Sequence, residues 1–216
     1  QRFPIATGLR DRCTLMIAEP YRRPDIVAYA QSLISVELSN QARRRSRERA
    51  VTGQLLADVV AGRLTGTDAS MRLQAAGIPM TGRNVTLLVE AASGQVRSLP
   101  ALPLPAEFDG AATAVVEDRL VVVVPQGSRP DLARILSGYL YGSGLTAKIG
   151  VGGSYADHAG LRWSYFEAKE ALQRGQSLNE PERLSLTSLL MSGTDVPLAA
   201  LAAEALDPLT DFDAAH

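Results

Sequence analysis

The chain has 216 residues, 46% hydrophobic and 21% charged, enough to bury one large globular domain or a smaller one with attached helices. Its net charge of −1 is uneven: residues 1–50 carry ten Arg against five Asp/Glu, and residues 51–216 carry twelve Lys/Arg against eighteen, a balance that argues against nucleic-acid binding by the latter. The single Cys13 excludes an intrachain disulfide or cysteine zinc site, His158 and His216 alone exclude a histidine metal cluster, and no apolar run approaches the ~20 residues that span a bilayer.

No signal peptide is visible, so a cytoplasmic setting is expected, and a start at Gln1 rather than Met points to a longer parent protein. Residues 13–18 read as a strand ended by Glu19-Pro20. Asp25 is the expected cap of a long helix in which Ile26, Tyr29, Leu33, Val36 and Asn40 alternate in steps of three and four. That seam is the expected contact of a homodimer, with Asn40 fixing register. Five Arg fall within positions 43–49. A DNA-reading basic helix would run directly into a long heptad zipper. Here the pattern changes at once, so a solvated connecting helix is expected, splaying from its twin after about residue 42.

Val51, Leu55, Leu56, Val59 and Val60 form a fresh stripe ending at Gly62. Thr67-Asp68 opens a shorter helix carrying Met71, Leu73 and Ala76, closed by Gly77-Ile78, and residues 85–89 read as the next strand. The Pro-rich residues 99–105 cannot be a central strand. Residues 111–116 and 119–124 read as a hairpin around Glu117-Asp118, the second strand apolar at five consecutive positions, as when both faces are covered. Residues 130–141 have helical spacing at Leu132, Ile135, Leu136 and Tyr139.

Residues 147–172 then read as a short strand (Ile149, Val151), a glycine turn (Gly150, Gly152, Gly153), a polar bend, and a helix striped by Leu161, Tyr165, Ala168 and Leu172. Asp157 is its expected cap and Gly175 its stop. Gly-Val-Gly-Gly has neither dinucleotide nor phosphate-loop spacing, so glycines that let a buried strand leave the sheet are preferred to phosphate binding. Ser154 beside Asp157-His158 suggests a triad fragment, but neighbours in one bend rarely reach the required geometry, and His158 is expected to be an exposed first-turn residue. Tyr155, Trp163 and Phe166 cluster at the same bend, as a candidate ligand or partner surface or as packing against a loop. Beyond Ser177 come a short element over 184–190 and an Ala/Leu-rich helix over 197–206.

Gly-Val-Gly-Gly followed by Ser164, Tyr165, Ala168, Ala171 and Leu172 resembles the closing strand and helix of the degenerate GGDEF-like domain in PucR/CdaR-type transcription regulators. The helix ending at Gly62, the Gly77-Ile78 pair and Leu206-Asp207-Pro208-Leu209 extend that resemblance over about residues 51–212. It implies an α/β (α+β) fold, a GGDEF-like/ferredoxin-like sheet of about four or five strands flanked by helices, with a long N-terminal helix and a C-terminal helical extension. It divides the chain into the end of a sensory domain with its connecting helix (1–50), the GGDEF-like domain (51–176), and a connector toward a helix-turn-helix not included (177–216). In the active cyclases of this fold, hairpin glycines admit a nucleotide and carboxylates hold divalent metal. Here Val116 and Glu117 stand for the glycines, Arg119 for a carboxylate, Asp118 alone survives in kind, and Glu90 would imitate a second metal ligand. The resemblance therefore implies a non-enzymatic regulatory module without catalytic, cofactor or metal residues, responding to a small-molecule effector. It would dimerise through Ile26, Tyr29, Leu33 and Val36, touching DNA only through the absent domain. A nucleotide-binding or cyclase-like domain and a plain dimerisation module are the alternatives.

Overall fold

Leu120, Val121, Val122, Val123 and Val124 are all buried, and they alternate between two cores. Val121 and Val123 join the first, and Leu120, Val122 and Val124 join the second, because side chains along a strand point to opposite faces. A strand apolar at every position therefore needs a layer on each side, and the fold supplies both.

The structure is a computed structural model describing residues 1–5, 13–18, 23–126 and 131–180. The elements in order are β1 (Arg2–Ile5), β2 (Cys13–Met16), α1 (Pro24–Val60), α2 (Gly66–Ala75), β3 (Arg83–Ala91), β4 (Ala112–Val116), β5 (Arg119–Pro125), α3 (Leu132–Gly142), β6 (Ala147–Ala156), α4 (Asp157–Leu172) and β7 (Leu178–Asn179). β1 and β2 form an antiparallel ribbon. The other strands make one sheet in the order β4-β5-β3-β6-β7, with only the short β7 parallel to its neighbour. Its four antiparallel strands follow the ferredoxin-like order, bearing out the expected α/β class and sheet size.

Between β3 and β4, where that fold usually has a helix, two short 3₁₀ turns, Val96–Ser98 and Ala106–Phe108, flank the Pro-rich segment. Proline removes the amides a long helix would need, and Leu99, Leu102 and Phe108 cover the second core beside α3 instead. The first core lies on the other face, closed by α4, α2 and the end of α1. The Gly77-Ile78 signal closes α2 as expected. Gly77 is left-handed, its amide bonds Gln74 O at 3.0 Å, and the Ile78 amide bonds Leu73 O at 2.9 Å. Leu73 and Ile78 are fully buried side chains of the first core.

Several expectations need correction. α1 begins a residue before Asp25, which therefore lies inside the first turn rather than at the cap, its carboxylate paired with Arg23. The strand expected over 13–18 has an unexpected partner in β1, whose Pro4 is tolerated in a two-stranded ribbon with an open edge. Met71 and Val51 are exposed rather than on buried stripes. α1 runs unbroken through residues 50 and 51, so the connecting helix and the fresh stripe are one element. The elements expected over 184–190 and 197–206, and the Leu206–Leu209 segment, lie outside the described residues.

Candidate functional site

The glycines of β6 are strand residues, not a turn. The strand continues to Ala156 and α4 starts at the next residue. A Cβ at Gly150 would overlap the Ala168 carbonyl oxygen, and one at Gly152 the Ser164 carbonyl, so their absence lets the helix backbone rest on the strand. Facing a helix side rather than a helix N-terminus, these glycines form no phosphate cradle. Asp157 does accept from the first turn, through Oδ1 and the Gly160 amide at 2.9 Å. Gly175 is left-handed, as expected of a helix stop.

β6 bulges beside these glycines. Val85 pairs with Ser154 and Leu87 with Val151, so Gly152 and Gly153 together face Thr86. α4 takes up the displaced backbone groups. The Thr86 amide donates to Ser164 Oγ at 2.8 Å, and the Ser164 hydroxyl donates to Gly153 O at 2.7 Å. Glu167 accepts from the Gly153 amide at 2.5 Å and from the Tyr155 hydroxyl at 2.6 Å. Ser164→Ala would strand a buried donor. It should cost about 1–3 kcal/mol in urea unfolding, with Ser164→Thr retaining part of that stability.

No triad forms at the bend. Ser154 donates to Gln126 Oε1 at 2.8 Å, while His158 is half-buried rather than exposed and accepts from the Gly66 amide through Nε2 at 3.0 Å, tying α4 to α2. Tyr155 is held by Glu167, Trp163 is half-buried against the first core, and Phe166 is buried edge-on to Tyr165 with their centroids 5.9 Å apart. Burial, and then the charge of Glu117, raises the Tyr165 phenol, so it stays neutral at physiological pH.

The β4–β5 hairpin turns on Glu117 and Asp118, with φ of 48° and 61°. A two-residue turn of this hand needs both residues left-handed, which Gly or Asn adopts at lower cost. Charges hold it. Glu90 accepts from Arg119 Nε at 2.8 Å and pairs with Nη2 at 2.7 Å, Arg119 Nη1 reaches Glu117 at 3.2 Å, and Lys169 Nζ on α4 reaches the same Glu117 oxygen at 3.1 Å. Glu90, Ser93, Asp118, Arg119, Thr146 and Lys148 line an open cleft of about 470 Å³ beside this chain. The residues do not fit a divalent cation, because the Arg119 guanidinium sits between the carboxylates that would ligate it. Among the described residues no group of three or more His, Cys, Asp or Glu suits a metal ion.

The arginine run contributes what its solvated reading missed. Arg49 is only 3% exposed, and donates through Nη1 to Leu99 O at 2.9 Å and Pro100 O at 3.1 Å, and through Nε to Thr113 Oγ1 at 3.1 Å. Arg45, one turn earlier, donates to Ala101 O at 3.2 Å. Burial, and after it the charge of Arg45, lowers the Arg49 guanidinium to about 10, so it remains charged at neutral pH. The two arginines hook α1 to the Pro-rich segment across the edge of β4. Gly53 lies with no room for a Cβ against the Val115 carbonyl, so the helix covers an edge strand that would otherwise be open. A sequence signal existed: Arg45, Arg49 and Gly53 share one helical face, but a run of charge conceals it.

The other side of α1 carries the expected seam. Ile26, Tyr29, Leu33 and Val36 are 52%, 66%, 52% and 59% exposed. The β1–β2 ribbon meets α1 on a different face, where Ile5 and Val27 are buried and Gln31 Nε2 donates to Pro4 O at 2.9 Å. At about 100° per residue, the seam lies nearly opposite the face of Ala42, Arg49, Gly53 and Leu56 that meets the domain.

No helix of the described residues is long and apolar enough to cross a membrane. No curated protein and no solved structure matches the chain. A GGDEF-like domain family model matches residues 61–173, from the left-handed Gly62 turn that ends α1 to the close of α4. With over half its length matched and with this sheet, hairpin and closing strand–helix pair, the chain belongs to the GGDEF-like domain family.

Proposed function

We propose that the chain is a non-enzymatic, signal-transmitting module of a PucR/CdaR-type transcription regulator that controls a metabolic operon in response to a small-molecule effector. It works in the cytoplasm, between an upstream sensory domain and a helix-turn-helix that alone contacts DNA. The observation that carries this is the two-sided α1. Its C-terminal half is hooked to the domain by Arg45 and Arg49, while its N-terminal half presents Ile26, Tyr29, Leu33 and Val36 on the opposite side. A 37-residue helix is about 55 Å long, so a twist imposed at its free end reaches the β4 edge as a rigid displacement. The partner for the free stripe is a second copy, whose stripe matches it by symmetry. Past Asn40 the exposed face turns basic, with Arg44 paired to Glu48 at 2.8 Å and Arg47 beside it, so the two helices part there.

A cyclase-like nucleotide domain is the second reading, favoured by the open cleft where Lys148 and Asp118 stand beside the hairpin. Incubation with GTP and Mg²⁺ or Mn²⁺, followed by chromatography, separates the two. GTP is expected to come back unchanged, since the glycines that would admit a nucleotide are Val116 and Glu117. A cyclic dinucleotide whose formation is lost on Asp118→Ala would establish the second reading instead.

A further inference from the structure

We infer that Arg119 is a tethered replacement for a divalent cation, neutralising Glu90 and Glu117 and closing the head of the cleft to metal ions. The inference deepens the non-catalytic reading of this cleft and rests on it for the expectation that a cation once belonged there. The geometry is that of a cation with two carboxylate ligands. One guanidinium meets Glu90 through Nε and Nη2 at 2.8 and 2.7 Å, and Glu117 through Nη1 at 3.2 Å. A planar fork of fixed donors can satisfy both acids at once, which a lysine ammonium on its flexible stem does less well.

The charges around this group alternate. Glu90, Arg119, Glu117 and Lys169 form a chain of two acids and two bases with no net charge. Lys148 lies opposite Glu90 across the β3–β6 pair, adding a further positive charge to the cleft, and Asp118 lines it as a third acid. A divalent ion entering between Glu90 and Glu117 would have to expel a guanidinium tethered one residue past the turn. Arg119 is mostly buried, at 22% side-chain exposure, so solvent screens that repulsion less than at an open surface.

The arrangement also accounts for the hairpin. Glu117 and Asp118 are left-handed without being glycine, and Arg119 and Lys169 pin the Glu117 side chain from two elements. A mobile metal ion would leave that turn unsupported whenever it dissociated; a side chain cannot dissociate.

If Arg119 stands in for a cation, removing its charge should create a cation site, since two carboxylates and water suffice for weak divalent binding. Melting temperatures are read without nucleotide, at matched ionic strength, with and without 5 mM MnCl₂ as the probe (about the millimolar range expected of two carboxylates). The wild-type chain and Arg119→Lys should not respond. Arg119→Gln should melt below wild type and recover by about 2–4 °C with Mn²⁺, the shift expected when the probe stands at about five times a millimolar dissociation constant. A wild type stabilised as much as the variant, or a folded Arg119→Gln indifferent to Mn²⁺, would overturn the inference. Should Arg119→Gln not fold, water-proton relaxation of Mn²⁺ mixed with the wild-type chain decides alone: no bound fraction is expected, and saturable binding overturns the inference. Because no nucleotide is present, neither result depends on whether the chain turns over GTP.

Discussion

Gly150→Val is expected to abolish stable folding. A Cβ at Gly150 would overlap the Ala168 carbonyl oxygen and press on Leu172 Cγ at 3.0 Å, so the first atom added already meets helix backbone. Helix backbone cannot rotate away as a side chain can. α4 would have to lift off β6, opening the first core along Tyr165, Ala168 and Leu172. Overpacking a close contact costs about 1–3 kcal/mol where side chains can adjust, and a backbone clash belongs at or above the top of that range. Domains of this size hold about 5–15 kcal/mol in total. Gly150→Ala should therefore lose about 3 kcal/mol in urea unfolding, and Gly150→Val should yield no cooperative transition. Gly138→Ala is the control. Gly138 lies within α3 with nothing near its missing Cβ, so the same substitution there should gain about 0.5–1 kcal/mol. Equal losses at both positions would show that close approach is not what Gly150 supplies.

The contrast shows where the sequence was legible. The run Leu120–Val124 announced a two-sided core because alternation of burial along a strand is local geometry. The stripe of Leu161, Tyr165, Ala168 and Leu172 announced α4, and Gly77-Ile78 announced the end of α2, for the same reason: a helix period and a left-handed stop are written in neighbouring residues. The β6 glycines were misread because a turn glycine and a close-approach glycine look alike until the partner helix is known. Arg45 and Arg49 looked solvated because their partners are the carbonyls of Leu99, Pro100 and Ala101, some fifty residues on and invisible to any local pattern. Of the candidate site, the replacement of hairpin glycines and a carboxylate could be read from the resemblance. The bridge from Glu90 through Arg119 and Glu117 to Lys169 joins β3, β5, the hairpin turn and α4, and only the fold assembles it.

The second large effect concerns assembly. Ile26, Tyr29, Leu33 and Val36 stay more than half exposed although the β1–β2 ribbon packs against the same helix, so no described segment of this chain covers them. Two such stripes facing each other would bury eight large side chains, a seam whose area gain can exceed the cost of association. Asn40 at the next seam position would fix register. Leu33→Asp replaces a buried apolar pair at the middle of that seam with two facing carboxylates. The loss is about 4 kcal/mol or more, roughly a thousandfold in Kd. The substitution lies on the side of α1 away from Arg45, Arg49 and Gly53, so the fold of each copy should be unchanged by circular dichroism.

Sedimentation equilibrium of the chain beside its Leu33→Asp variant, at concentrations of tens of micromolar, tests the two-sided α1 most directly. The account predicts a wild-type mass near twice 23.0 kDa and a variant mass near 23.0 kDa. A monomeric wild type, or a dimer that Leu33→Asp leaves intact, would contradict it.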